Sequence, residues 1–327
     1  MASLFPKIDD PAISSLRIAS DKEAMTQLFK ETMPGVQNHM RDLEISSARV
    51  VKHRPGRRCT ILYDLSQGRR QVYVKIYYNK RGKGILNKMR KLRKACSKAL
   101  LIPEAFAYLP EHRMLLIEGI NGTPLSQLQG SALNSWVRRA AEALAYFHNC
   151  DANMTKVWTL RDEIAVLCKR IQILAVNKPK AMPTVLELVT LLWASEPDAN
   201  IPVRPIHRDF YPGQVIALGD RAAFVDLDDS ALGDPAIDVG NFLAHLKLLS
   251  FERHSDPGAL ARERDIFLKC YLESAINMQM GRIVFFEAST LLRLASLASD
   301  HPDRTEQTQA MLCQAVELLS SDPLTKE

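Results

Sequence analysis

Apolar residues recur along this chain with two different periods, and the change of period divides it. Cys59, Ile61, Tyr63 and Leu65 alternate with Thr60, Leu62 and Asp64, and Val72, Val74 and Ile76 alternate with Tyr73, Lys75 and Tyr77. A period of two marks a strand with one buried face, so two strands are predicted, joined by a turn at Ser66-Gln67-Gly68. Residues 105–109 and 114–117 read as further strands across the turn Pro110-Glu111-His112. Residues 118–124 then read as a connector. Beyond it the period becomes helical. Leu133, Trp136, Val137, Ala140, Ala141, Leu144, Ala145 and His148 form the stripe of a core-facing helix, with His148 as a terminal or core histidine. Helical patterns continue at 161–176, 184–194, 236–251, 259–276, 283–297 and 305–319. Ahead of the strands, Ala24, Met25, Leu28, Phe29 and Met33 predict a helix closed by Pro34-Gly35.

Within the second strand Lys75 faces away from three aliphatic neighbours. A lysine there is costly unless it is exposed on a sheet edge or paired with an anion. Residues 83–100 are basic and amphipathic, with Ile85, Leu86, Met89, Leu92, Cys96 and Leu100 on one side and Lys88, Arg90, Lys91, Arg93, Lys94 and Lys98 on the rest. With no aromatic side chains interleaved, this reads as a solvated face, and neither nucleic acid nor membrane is expected as a partner.

Bulk composition narrows the class without choosing a function. The 327 residues, 46% hydrophobic and 24% charged, suit a globular protein of one large or two modest domains. No run reaches the roughly 18 apolar residues of a membrane helix, and the N-terminus shows no secretion signal. Six scattered cysteines without a C-x-x-C pair read as reduced thiols, so a cytoplasmic protein is expected. Charge is uneven: residues 1–120 carry 23 Lys/Arg against 11 Asp/Glu, a net +12, which leaves −6 for the remainder of a chain whose total is +6.

The chemistry concentrates between Ile206 and Asp238, in I-H-R-D-F-Y-P-G-Q-V-I-A-L-G-D-R-A-A-F-V-D-L-D-D-S-A-L-G-D-P-A-I-D. Phe210-Tyr211-Pro212-Gly213 bends the chain, so Asp209 and Gln214 can face one cavity. Strand-like runs on either side of Gly219-Asp220 form a hairpin that returns Asp226 beside Gln214. Two oxygen donors at the ends of a hairpin, with a carboxylate upstream, make a compact site for a hard cation. That arrangement suits transfer of a phosphoryl group from a magnesium nucleotide to a hydroxyl.

This stretch resembles the aminoglycoside phosphotransferase and choline kinase-like family, relatives of the protein kinases. The family pattern is H-(G or R)-D-x-x-x-x-N, then a hairpin, then an aspartate-led segment ending in G-D-P-x-x-D. His207-Arg208-Asp209, Asp226-Leu227-Asp228, Gly233-Asp234-Pro235 and Asp238 fit it. The resemblance implies an α+β, two-lobed protein-kinase-like fold, with an N-terminal antiparallel sheet lobe and a larger, mostly helical C-terminal lobe. The lobes would span 1–117 and 124–327, with a hinge at 118–123. It implies ATP or GTP as co-substrate, Mg2+ as cofactor and a small-molecule hydroxyl as acceptor. By the same carry-over Asp209 is the catalytic base, Gln214 and Asp226 hold the metal, and Lys75 holds the nucleotide phosphates. Arg57 and Arg58 would assist at the phosphates, and Ile117, Glu118 and Ile120 would line the nucleotide along the hinge. His207 and Asp238 would support the loop, Asp238 from the first turn of a helix.

The chain departs from the family in three places. Gln214 stands where asparagine is usual, residues 76–103 contain no acid to pair with Lys75, and His53-Arg54-Pro55-Gly56-Arg57-Arg58 replaces a glycine-rich phosphate loop. These departures motivate the alternative of a catalytically weak or inactive kinase-like protein that binds a nucleotide or a partner. A metal-dependent hydrolase is the third reading. The helical portion, net acidic, suits a cationic acceptor and equally a sugar or nucleoside.

Overall fold

The computed structural model describes residues 8–33, 44–66, 70–274 and 278–321. The chain divides into two compact units, Met1–Gly122 and Thr123–Glu327. In the first, β1 (Ile45–Arg54), β2 (Arg58–Leu65), β3 (Gln71–Tyr77), β4 (Ala105–Leu109) and β5 (Met114–Glu118) form one antiparallel sheet in the order β1-β2-β3-β5-β4. The alternation read from the sequence sets its pleat. Ile61, Tyr63, Val72, Val74, Ile76, Met114 and Leu116 share one core with Leu16, Ala19, Met25 and Phe29 from α1 (Leu16–Ala19) and α2 (Lys22–Thr32). Asp21 caps α2 by accepting from the amides of Glu23 and Ala24, and the Tyr63 hydroxyl donates to Ala19 O at 2.5 Å. Pro34-Gly35 and the tip of the predicted 66–68 turn lie outside the described residues.

Two features of this unit depart from the sequence pattern. β1 was not predicted, because it is an edge strand with only Ile45 and Ala48 buried and so carries no clean alternation. The second face of the sheet is covered too. Leu62 and Leu115 are fully buried, and α3 (Gly82–Cys96) lays Ile85, Leu86, Met89 and Leu92 inward while packing against β4 and β5. Lys75 therefore does not lie on an exposed edge. It is buried in the central strand, paired across to Thr60 and Leu115.

The second unit contains α4 (Gly130–Asn149), α5 (Leu160–Asn177), α6 (Met182–Ala194), α7 (Ala236–His254), α8 (Ala261–Ser274), α9 (Met280–Ser299) and α10 (Thr305–Ser320). Two small sheets join them: β6 (Thr123–Pro124), β8 (Val215–Leu218) and β9 (Arg221–Phe224) in one, β7 (Arg204–Ile206) and β10 (Ala231–Gly233) in the other. α9 packs against α5, α7 and α10, and α4 against α8. Close approach of α7 to α9 depends on Gly240, where a Cβ would stand 2.5 Å from the Glu287 backbone nitrogen. The stripe of α4 is buried as its spacing predicts, except that Trp136 is partly exposed beneath the Arg139 guanidinium. Among the described residues no helix is long and apolar enough to cross a membrane, and all six cysteines are unbridged.

Candidate active site

The loop after β7 is held by one face of α7. Ile206 pairs with Ala231 of β10, which delivers His207 to the buried side of the loop. The Asp238 carboxylate, itself fully buried, accepts the backbone amides of His207 at 2.6 Å and Arg208 at 2.7 Å. His148 Nε2 also donates to it at 3.1 Å, while His148 Nδ1 lies 2.8 Å from the Tyr271 hydroxyl. Burial raises the Tyr271 pKa, so that hydroxyl keeps its proton. Three residues along α7 from Asp238, Asn241 donates to Phe210 O at 2.7 Å and is itself held by Arg293. That spacing places both side chains on one helical face. Just upstream of α7, buried Asp234 accepts the amide of Ala236 and pairs with buried Arg282 at 2.5 Å.

His207 couples this loop to the hairpin. Its Nε2 lies 2.8 Å from Val225 O, so it must carry the proton, and Nδ1 then accepts the Asp209 amide at 3.4 Å. Arg208 adopts a left-handed backbone (φ +71°) and lays its guanidinium 3.3 Å from the centre of the Trp158 ring. One face of the Trp158 ring is thereby covered. Burial lowers the Arg208 pKa from its ordinary value.

The hairpin brings Gln214 and Asp226 together as its strand register requires. Val215 pairs with Phe224, and the Val225 amide donates to Gln214 O at 3.0 Å, so Asp226 follows the residue opposite Gln214. Asp226 is left-handed as well, at φ +59° and ψ +45°. The Gln214 amide nitrogen donates to the Tyr211 hydroxyl at 3.1 Å. That hydroxyl has its pKa pushed up to about 12, first by burial and then by the charges of Asp209 and Asp226. The Gln214 amide thus meets a tyrosine oxygen on which the charges of Asp209 and Asp226 both act. His245 stacks on the same ring at 4.6 Å, and burial drives its pKa down to about 3.

Among the described residues no three His, Cys, Asp or Glu side chains assemble into a metal cage. Magnesium does not need one: it retains waters and takes one or two carboxylates together with substrate phosphates. The donor set of the Asp226 carboxylate and the Gln214 amide oxygen fits that requirement.

The remaining sequence-predicted residues belong to the first unit. Lys75 sits mid-strand as described. In the turn between β1 and β2, Gly56 is left-handed (φ +69°), and Arg57 is exposed while Arg58 is partly covered. The Gly56 amide donates to Asp10 at 2.9 Å and the Arg57 amide to Arg54 O at 3.0 Å, so neither is left to cradle an anion. Asp10 also accepts from His53 Nε2 at 2.9 Å. Ile117 and Glu118 end β5; the Glu118 carboxylate accepts the Glu104 amide at 2.9 Å and pairs with Arg93 at 3.5 Å. Ile120 O accepts the Gly122 amide at 3.1 Å. The helix after Lys75, α3, contains no acid, and its Arg90 and Arg93 are spent on the carbonyls of Phe106 and Ile102.

Seven residues of these networks were not read from the sequence as parts of the site: Tyr211, Asn241, His245, Tyr271, Arg282, Arg293 and Asp10. Asn241 and Tyr211 carried a local signal, each standing three residues from a predicted site residue, Asp238 and Gln214.

A sheet-bearing unit, a helical unit and an H-R-D loop pinned beside a hairpin-end aspartate define the kinase-like class of fold. The chain belongs to the phosphotransferase enzyme family (APH), which matches it over residues 63–268. Solved structures agree on the fold. Spectinomycin phosphotransferase APH(9)-Ia, in complex with ADP and spectinomycin, is 12% identical with a TM-score of 0.58, covering 94% of this chain and 97% of that one. A thermostable mutant of aminoglycoside phosphotransferase APH(4)-Ia, in a ternary complex with ADP and hygromycin B, is 15% identical with a TM-score of 0.64, covering 93% and 99%. A choline/ethanolamine kinase family protein from Mesorhizobium loti is 15% identical with a TM-score of 0.58, covering 94% and 97%. No curated protein matches the chain in sequence.

Proposed function

We propose that this protein transfers the γ-phosphoryl group of ATP or GTP to a hydroxyl of a small molecule. The observation that carries the reading is an H-R-D loop pinned by Asp238 beside a hairpin that returns Asp226 to Gln214, in a member of a phosphotransferase family. Asp209 accepts the proton of the attacking hydroxyl and orients it, so no strong base is required for a reaction whose barrier is mainly electrostatic. Gln214 and Asp226 would hold the magnesium ion, which when bound neutralises phosphate charge. Lys75 and the arginines Arg57 and Arg58 supply fixed positive charge for the nucleotide phosphates, and backbone at Ile117, Glu118 and Ile120 takes the base. His207 and Asp238 keep the loop in one conformation through the contacts described above. The structures in complex with ADP, spectinomycin and hygromycin B support a nucleotide and a small-molecule acceptor.

Asp209→Asn is expected to lower magnesium-dependent turnover by about 10²–10⁴-fold with the thermal midpoint unchanged. Acceptors would be found by screening amino alcohols, aminoglycosides and sugars with labelled ATP. Full activity in the variant rules out the role of Asp209. One observation favours a binding-only protein: the turn before β2 offers no amide at Gly56 or Arg57 for phosphate. Millimolar magnesium nucleotide that raises the thermal midpoint without turnover on any acceptor would establish that second reading.

A further inference from the structure

Glutamine in place of asparagine lengthens a metal ligand by one methylene and adds a rotatable bond. Fixing a free glutamine side chain costs rotamer entropy, so an unsupported Gln214 would be a poor ligand. The structure contains a support for it. Residues 212–214 form a single 3-10 turn preceded by Tyr211, and the Gln214 backbone amide donates to Tyr211 O at 2.8 Å, a closure that brings the two residues together. The tyrosine ring is fixed on two sides. His245 stacks on it at 4.6 Å with 21° between planes. Against the ring edge lies Gly213, where an added Cβ would stand 2.6 Å from Tyr211 Cε2. His245 follows Asp238 and Asn241 at seven and four residues on α7, so the face that pins the loop also backs the tyrosine.

We propose that Tyr211 is a positioning residue for Gln214, its hydroxyl accepting the amide N–H so that Oε1 is turned to the cation. The proposal rests on the phosphotransfer reading and adds to it the device by which this chain uses glutamine. An amide has one donor end and one acceptor end; engaging the donor end decides which way the acceptor faces. Partners of this kind, one step removed from a metal, typically change affinity by about 10–100-fold.

The test is the affinity of the full-length protein for Mn2+ in the presence of ADP, read from the electron paramagnetic resonance signal of free Mn2+. It compares wild type, Tyr211→Phe, Gln214→Asn and the double variant. Phenylalanine keeps the stack on His245 and the contact with Gly213, so the thermal midpoint without metal should hold. Tyr211→Phe should weaken Mn2+ binding about tenfold in the glutamine background and leave it unchanged in the asparagine background, where the shorter side chain does not reach the hydroxyl. Gly213→Ala, which pushes the ring aside, should reproduce the tenfold loss, and it decides the matter if Gln214→Asn alone binds no metal. Unchanged affinity in Tyr211→Phe, or equal loss in both backgrounds, overturns the role of Tyr211 while leaving the site intact. A wild-type protein with no affinity for Mn2+ and ADP overturns the phosphotransfer reading and the positioning role together.

Discussion

Two aspartates anchor two loops in this protein, and their settings differ. Asp238 fixes the H-R-D loop from inside the second unit, where it is fully buried and accepts two consecutive backbone amides and the ring of His148. Asp10 fixes the β1–β2 turn at the rim of the first unit, accepting the amides of Gly56 and Ala12 and the His53 ring. The inner anchor connects through His148 and Tyr271 to α4 and α8, so the loop cannot shift without breaking a buried network. The outer anchor ties an arginine-bearing turn to a short segment ahead of α1. The difference is one of depth and reach: Asp238 is fully buried in a network that joins three helices, whereas the Asp10 side chain, 7% exposed, is tied to a His53 ring that is 25% exposed.

The comparison can be broken most severely at the inner anchor. Asp238→Ala leaves two buried amides and a histidine without their acceptor, so a loss of about 3 kcal/mol is expected in urea unfolding. A loss below 1 kcal/mol would mean that the loop is held by other groups. A smaller and pH-dependent effect is expected at the ring behind Tyr211. Unfolded His245 takes up a proton near its ordinary 6.5, whereas the folded ring resists protonation down to about 3. Its contribution to stability is therefore complete above about pH 6.5 and declines as pH falls from there towards 3. His245→Phe keeps the stack and removes this term, which amounts to at most about 2 kcal/mol at pH 5. Its thermal midpoint should fall less between pH 7 and 5 than that of wild type, and parallel curves would show the ring to be solvated.

The smallest effect on stability belongs to the outer anchor. The Gly56 amide, and after it His53, hold the Asp10 carboxyl below its ordinary pKa of 3.8, so the tether is in place at neutral pH and is lost only as pH falls below that range. Asp10→Ala should shift the thermal midpoint little. It should raise the nucleotide KM severalfold with kcat nearly unchanged, because the arginines of the turn lose their fixed position. A large fall in the midpoint would show that both anchors are structural in the same degree and would remove the contrast.

The alternating stretch 59–77 and the stripe of α4 were legible because each follows from local periodicity against a buried surface. β1 was not, since an edge strand with two buried residues has no reason to alternate. The H-R-D loop, the hairpin and Asp226 were legible as a unit because their contacts span about twenty residues, within reach of one turn type and one register. His148 was visible as the end of a stripe, but its partner Asp238 lies 90 positions away and Tyr271 lies 123 away. Arg282 and Asp10 were silent for the same reason: nothing near them in the chain marks a residue whose partner is supplied by a different element.

What the sequence determined by itself was the alternating strands and the longer helices, the hairpin that returns Asp226 to Gln214, and the kinase-like pattern, because these rest on short-range sterics and hydrophobic periodicity. Only the tertiary structure decided that Lys75 is buried in a central strand, that Arg208 covers one face of Trp158, and that Tyr211 sits between His245 and Gly213 to meet Gln214. Those outcomes depend on which surfaces pack together, and packing joins residues whose separation along the chain carries no signal of their contact.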